Sequence, residues 1–316
     1  MASIDIIGDV HGCADKLTGL LRRLGYEDRT GAFRHDDRTA IFVGDLIDRG
    51  QQQVEVVSIA RSMLEAGSAR ILMGNHEFNA IAYATPDPRE AGAFMRPHSP
   101  KNQRQHAEFL EQVGEGSALH REVVEWFMTL PLWLDLGGVR VIHACWHQRS
   151  MDAVMDLVDP DQPLPEGFIV EANTKGTVTY LAVETLLKGP EIELGPYGPY
   201  LDKEGTPRSA ARIRWWDSGA TTLRSLAEIP GGATKPDGSE LPALPEVPND
   251  AAARFRYDSD VPVFFGHYWF SGTPEVAGPH AACLDYSAVA GGPLVAYRWD
   301  GEAELLDDHL VAFGSG

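Results

Sequence analysis

The sequence predicts an α/β fold with a βαβαβ core of parallel strands. Two observations predict it. Short apolar runs alternate with helix-spaced apolar residues through the first eighty positions. Each of three apolar runs also ends in a block of polar, chemistry-bearing residues: Gly8-Asp9-Val10-His11-Gly12, Gly44-Asp45-Leu46-Ile47-Asp48-Arg49-Gly50 and Gly74-Asn75-His76-Glu77. Ligands of parallel α/β sheets gather beyond the carboxyl ends of the strands, which is where all three blocks fall.

The elements follow in order. Residues 4–7 read as a strand leading into a helix at 14–24, where Leu17, Leu20, Leu21 and Leu24 share one face. Residues 40–43 form the second strand, followed by a helix at 54–66 with Val56, Ile59, Ala60, Met63 and Leu64 on one side. Residues 70–73 form the third, leading into a helix opened by Asn75 or His76, with Gly74 expected to let the chain turn tightly. From 86 to about 116 the chain is polar and punctuated by Pro86, Pro88, Pro97 and Pro100, with helical patterns at 104–113 and 119–130. Residues 132–136 and 139–143 flank Gly137-Gly138, a hairpin signal. Residues 151–208 read as an inserted cap holding one helix at 179–187 and a Gly/Pro-rich run, and 230–250 as an exposed loop. The chain returns to β-structure at 261–265, 281–284, 294–299 and 303–306, the last two joined by a hairpin turn at Trp299-Asp300-Gly301-Glu302. The expected organisation is one domain over 1–316, with cap or insert segments near 86–130 and 151–208.

Composition limits the partners. The formal net charge is −19, so long nucleic acids and anionic membranes are repelled, while bound cations could still draw a small phosphorylated substrate into one pocket. The start of the chain lacks the pattern of a signal peptide, and no run approaches the ~18 apolar residues of a membrane span. Cys13, Cys145 and Cys283 are isolated and read as thiols, without a disulfide framework. A cytoplasmic enzyme is the expectation.

The blocks suit two divalent ions and a phosphate. Asp9 and His11, two apart on an extended segment, can face one ion, and Asp45 can bridge two with its two oxygens. Asn75 offers a neutral oxygen, and His143 and His267, each after a strand-like run, complete a second set of ligands. Gly266 is expected to allow close approach to the ion. Two ions roughly 3.5–4 Å apart activate a hydroxide and clamp a phosphoryl group for in-line attack. Arg49 supplies a fork for phosphate oxygens, His76 a proton for the leaving oxygen, and Asp48 a partner that keeps His76 charged.

GDxHG, GDxxDRG and GNHE, followed by single histidines at strand ends, resemble the metallophosphoesterases of the phosphoprotein phosphatase type. Within that calcineurin-like group the chain is most similar to the bacterial branch of bis(5'-nucleosyl)-tetraphosphatases and serine/threonine protein phosphatases. Leu130-Pro131-Leu132, Phe265-Gly266-His267, Leu284-Asp285 and Gly291-Gly292 extend the match over nearly the whole length. The resemblance implies a four-layer α/β/β/α sandwich, with the metals held by Asp9, His11 and Asp45 on one side and by Asp45, Asn75, His143 and His267 on the other. It implies Mn2+ as the activating ion, with Fe, Zn, Ni or Mg as alternatives, and a second phosphate-binding arginine. Arg212 and Arg214 are the candidates for that arginine. His143-Ala144-Cys145 departs from the family's His-Ala-Gly or His-Gly-Gly.

The remaining residues receive plainer readings. His147 is expected near the ligands or in solvent, and His35, His98, His106, His120, His280 and His309 at the surface. Cys13 is assigned no catalytic role. Most tryptophans are core residues, but Tyr268 and Trp269 follow His267 directly and are expected to line the substrate pocket. The expected reaction is dimetal hydrolysis of a phosphate ester or anhydride, on a phosphoprotein (phospho-Ser, -Thr or -Tyr) or a phosphorylated small molecule such as a dinucleoside polyphosphate. The rival readings are a non-catalytic phosphate-binding module and a metal-dependent nuclease.

Overall fold

Burial on both faces explains the first strand. In β1 (Ser3–Ile7), Ile4 and Ile6 face one way and Asp5 and Ile7 the other, and all four are buried. The computed structural model describes residues 3–159, 162–202 and 205–314. Helix α1 (Ala14–Arg23) buries Ala14, Leu17, Leu20 and Leu21 at helical spacing. A small hairpin that the apolar pattern did not announce, β2 (Glu27–Arg29) and β3 (Ala32–Arg34), precedes β4 (Arg38–Phe42). Then come α2 (Gln53–Glu65), β5 (Ala69–Ile71) and α3 (Asn75–Ala84). Strands β1, β4 and β5 pair in parallel, as the βαβαβ pattern predicts.

Side-chain caps set the next two helices. Ser99 accepts from Asn102 N–H ahead of Pro100 and opens α4 (Pro100–Val113), four residues earlier than expected. Ser117 accepts from His120 N–H and opens α5 (Ala118–Phe127). The Gly137-Gly138 hairpin joins β6 (Trp133–Asp135) to β7 (Arg140–Ile142), again as predicted.

The expected cap over 151–208 holds more than one helix. After α6 (Gln148–Val154) come α7 (Glu166–Ala172) and α8 (Val178–Lys188). Both α6 and α7 pack on α8, and α7 reaches α3. This part extends the helical layer. The end of α8, at Lys188, and the following short strands border the cavity: β8 (Glu191–Glu193), β9 (Tyr200–Leu201), β10 (Pro207–Arg208), β11 (Ala210–Ile213) and, after α9 (Leu223–Leu226), β12 (Ala227–Glu228). Between β12 and α10 (Ala251–Phe255) the chain has no named helix or strand, in keeping with the loop expected there.

The last strands are β13 (Val263–Phe265), β14 (Ala281–Cys283), β15 (Leu294–Trp299) and β16 (Leu310–Phe313). The strand expected at 303–306 is absent from the described structure. The antiparallel partner of β15 is β16, so 300–309 is a longer connection and not a tight hairpin. Leu305 is drawn into the core and its N–H bonds the Pro279 carbonyl, which takes this segment out of line with β15.

Among the described residues two large sheets result, ordered β16-β15-β1-β4-β5 and β14-β13-β7-β6, beside three small ones. Ile4, Ile6, Ile41, Val43 and Leu72 of the first share one apolar cluster with Val139, Val141, Phe264 and Ala282 of the second. Helix α1 lies on β15 and β16 and α2 on β5, while α8 and Trp216 cover the far side of the second sheet. This is the predicted four-layer α/β/β/α sandwich. Strands β1, β4 and β5 in one sheet, and β7, β13 and β14 in the other, end at the same region.

Candidate functional site

All six candidate ligands converge beyond those strand ends, and every one is buried. Asp45 lies at the centre. Its Oδ2 is 3.5 Å from His11 Nε2, and its Oδ1 is 3.4 Å from His143 Nε2. Asn75 Oδ1 is 3.1 Å from that same His143 nitrogen. Two sets of nitrogen and carboxylate atoms meet within 4.8 Å: His11, Asp45 and His76, and Asp45, His143 and His267.

The backbone aims these groups. His11 Nδ1–H donates to the Ile47 carbonyl (2.9 Å) and His143 Nδ1–H to the Val43 carbonyl (3.0 Å), which turns each Nε2 inward. Asp9 Oδ1, His11 Nε2 and His267 Nε2 are buried without a hydrogen-bond partner. Uncompensated acceptors at one place are costly unless a cation fills the space between them. The donor set therefore fits divalent metal.

Electrostatics agree. Burial works against charge on His143, but the Asp45 carboxylate outweighs it and pushes the pKa up to about 9. Burial and the nearby Arg49 guanidinium pull His11 down to about 3, and burial with Arg212 holds His267 far below its usual range. Burial and Asp285 raise Asp9, whereas burial of Asp45 is overcome by His143 and His76, which hold it ionised.

Glu77 anchors this arrangement. Its oxygens accept from the N–H groups of Asp45 (2.9 Å), Leu46 (2.8 Å) and Gly74 (2.9 Å), tying the β4 and β5 ends together. Burial and the Asp45 charge push its pKa up to about 7 against those donors. Gly74 has φ −89°, which any residue adopts, so the expected special turn is not the reason for glycine there. Space is: an added Cβ would lie 2.2 Å from Asp45 N and Oδ1. Gly266 is likewise demanded by Asp9, whose Oδ1 would be 1.9 Å from a Cβ. His11, Asp45, Asp48, Arg49, His267 and Trp269 all have positive φ, a strain of about 1–3 kcal/mol each concentrated at one site.

The Asp48–His76 pair forms as predicted, with Oδ2 accepting from Nδ1–H at 2.6 Å. Sequence reasoning missed its third member. His106, expected at the surface, is buried on α4 and donates from Nδ1 to Asp48 Oδ1 at 2.7 Å. Its spacing with Phe109, Leu110 and Val113 carried the signal, because the four are the buried residues of that helix. His120 is buried in the same way with Val123, Val124 and Phe127. His147 bonds Ser150 and the Arg254 carbonyl, away from the ligands.

A cavity of about 420 Å³ opens from Asn75, His76 and His267 toward β9–β12. Arg49 reaches into it with one nitrogen 3.4 Å from His76 Nε2 and its guanidinium 3.9 Å above the Trp269 ring. Arg212 lines it as well and donates to the His267 carbonyl (3.2 Å). Arg214 pairs with Glu228 and is outside the lining. Tyr268 forms part of the wall, packed edge-on against Trp216 with its hydroxyl toward the Ile213 carbonyl.

Comparison with known proteins gives the family. The calcineurin-like phosphoesterase profile matches residues 2–231. The chain belongs to that family. A bis(5'-nucleosyl)-tetraphosphatase PrpE (asymmetrical) of Bacillus velezensis is 42% identical over 85 residues, 27% of this chain and 34% of the relative. Its counterpart in Oceanobacillus iheyensis is 30% identical over 142 residues, 45% of this chain and 54% of the relative. The chain thus spans about a third to half the length of these curated relatives. Among solved structures, the cold-active protein-tyrosine phosphatase of a psychrophile Shewanella SP. is 15% identical, with a TM-score of 0.50 over 99% of this chain and 80% of that one. That likeness concerns the fold. Among the described residues no helix is long and apolar enough to cross a membrane.

Proposed function

We propose that this calcineurin-like phosphoesterase hydrolyses phosphate esters or anhydrides with two divalent ions, as a single catalytic domain. One observation carries the reading: the two oxygens of buried Asp45 face two different imidazoles, each turned inward by a backbone carbonyl. Asp9, His11 and Asp45 would hold one ion, and Asp45, Asn75, His143 and His267 the other. Bound there, the ions supply Lewis-acid activation of water and neutralise phosphoryl charge. Manganese is the proposed activator, since the oxygen and imidazole donors suit it.

The chain's own residues supply the rest. Arg49, backed by the Trp269 ring, binds the phosphoryl oxygens from one side. Arg212, fixed to the carbonyl of His267, binds from the other. His76 holds a proton at Nε2 for the leaving oxygen, and Asp48 orients the ring through Nδ1. Buried donors and acceptors around Asp45 keep bulk water out. Dinucleoside polyphosphate, the substrate class in the names of the Bacillus and Oceanobacillus relatives, is the favoured substrate over phosphoprotein. The cationic cavity supports this preference in a chain of net charge −19.

The test is hydrolysis of p-nitrophenyl phosphate by purified protein, with manganese or with excess chelator. Turnover is expected only with metal, and Asp45→Asn is expected to lose both metal binding and turnover. Full activity in chelator would refute the reading.

A further inference from the structure

Two cations in the cavity have no role in the reaction described above. Arg96, in the connection between α3 and α4, is half-buried, and Lys101 lies on the exposed face of α4. Arg96 is held only by neutral oxygens: Nη1 donates to Asn79 Oδ1 at 2.8 Å and Nη2 to Gln105 Oε1 at 3.1 Å. Among the described residues no carboxylate lies within ion-pair distance of Arg96 or Lys101. Apart from Arg49 and Arg212, the other cations of the cavity wall are neutralised, Arg208 by Asp202 and Lys188 by Glu184. Arg38 and Arg298, also half-buried, both reach Asp5.

We propose that Arg96, with Lys101, forms a second anion site that takes a further phosphate on the leaving-group side of the substrate. The inference rests on the dimetal reading and deepens it by placing the rest of a phosphoanhydride. His76 and Asn79 are three apart on α3 and share a face, about one helical turn apart, and Arg96 is bonded to that Asn79. Lys101 and Gln105 are four apart on α4, one turn before the face of His106 that holds Asp48. Both cations thus line the same cavity as His76, on the side of the α3 and α4 residues next to the Asp48–His76 pair, and the departing group must lie near His76 if His76 protonates it. Arg49, beside His76, and Arg212, on the His267 carbonyl, are the cations assigned to the reacting phosphoryl group itself.

The arrangement is built for an anion. Two amide oxygens orient the guanidinium without pairing its charge directly; burial pulls its pKa below the usual arginine value, against the opposing pull of the Asp48 and Glu184 carboxylates. The remaining N–H groups are free to form a fork with phosphate oxygens. A monoester such as p-nitrophenyl phosphate has no group to place there. A linear polyphosphate does.

Tripolyphosphate is the probe. With manganese, Arg96→Gln should lower kcat/KM for tripolyphosphate at least ~10-fold more than for p-nitrophenyl phosphate, mainly through KM, the size of one charge-assisted hydrogen bond. Arg96→Lys should recover part of the loss. Equal losses on both substrates, or no loss on tripolyphosphate, would overturn the proposal. A second arm needs no turnover: calorimetric Kd for tripolyphosphate on chelator-treated protein should rise about tenfold in Arg96→Gln and severalfold in Lys101→Gln. An unchanged Kd in both variants also overturns it. Lys101→Gln is exposed, so the test stands even where Arg96→Gln does not fold. Failure of the dimetal reading looks different: the wild type would then turn over neither substrate with metal, while the Kd arm still reports on Arg96.

Discussion

Asp48 has both oxygens occupied, one by His76 and one by His106, while its N–H donates to Gln53 at 2.7 Å. Burial alone would raise its pKa, but the two imidazoles outweigh burial and hold it well below the ordinary carboxylate range. The folded value thus lies below the unfolded one near 3.9, so this stabilisation is complete above about pH 5 and is lost as pH falls through 3.9 toward the folded value. Between those values the loss is about 1.4 kcal/mol per pH unit. In denaturant titrations of chelator-treated protein, Asp48→Asn should flatten the fall in stability below pH 4 by up to about that slope. An unaltered slope would mean the pairing carries no linkage. At this scale the three motif blocks were legible because chemistry needs those side chains whatever the context. His106 was overlooked although its spacing with Phe109, Leu110 and Val113 carried the signal, because Gln105 and Glu108 close to it in sequence are polar.

Strand β11 separates two arginines that sequence alone could not rank. Arg212 lies in the cavity and Arg214, past the strand end, turns to Glu228 on β12. Arg212→Gln should lower kcat/KM by roughly 10- to 100-fold, the range of a charged hydrogen bond, and Arg214→Gln by less than about threefold. The reverse order in steady-state kinetics would exchange their roles. Elements were legible where length and periodicity agreed, as in β1, α1 and α2. They were not legible in β8–β12, whose strands of two to four residues are too short to show an alternation. The error at 303–306 has another cause. Ala-Glu-Leu-Leu after Gly301 reads locally as a returning strand, but Leu305 is buried and the true partner of β15 begins at Leu310.

At the scale of the molecule, the candidate metal centre joins the two sheets. Asp9 and Asp45 follow β1 and β4 of one sheet, and His143 and His267 follow β7 and β13 of the other. Metal bound only by the folded state stabilises by mass action, about 2.7 kcal/mol at a hundredfold excess over Kd. For a chain of 316 residues that corresponds to roughly 4 °C in Tm. Adding manganese to chelator-treated protein should raise Tm by about this much, read by calorimetry, and Asp45→Asn should abolish the shift. A metal-independent Tm would remove the proposed link between the sheets.

The cavity wall has a further consequence. Its floor comes from the strand ends of the two large sheets, whereas much of its rim comes from the short strands between Glu191 and Glu228. On the proposed function, the reacting centre and much of the border that would select the substrate lie on separate stretches of polypeptide. On that reading, a rim transplanted from a relative would bring new preferences to a floor whose candidate ligands are unchanged.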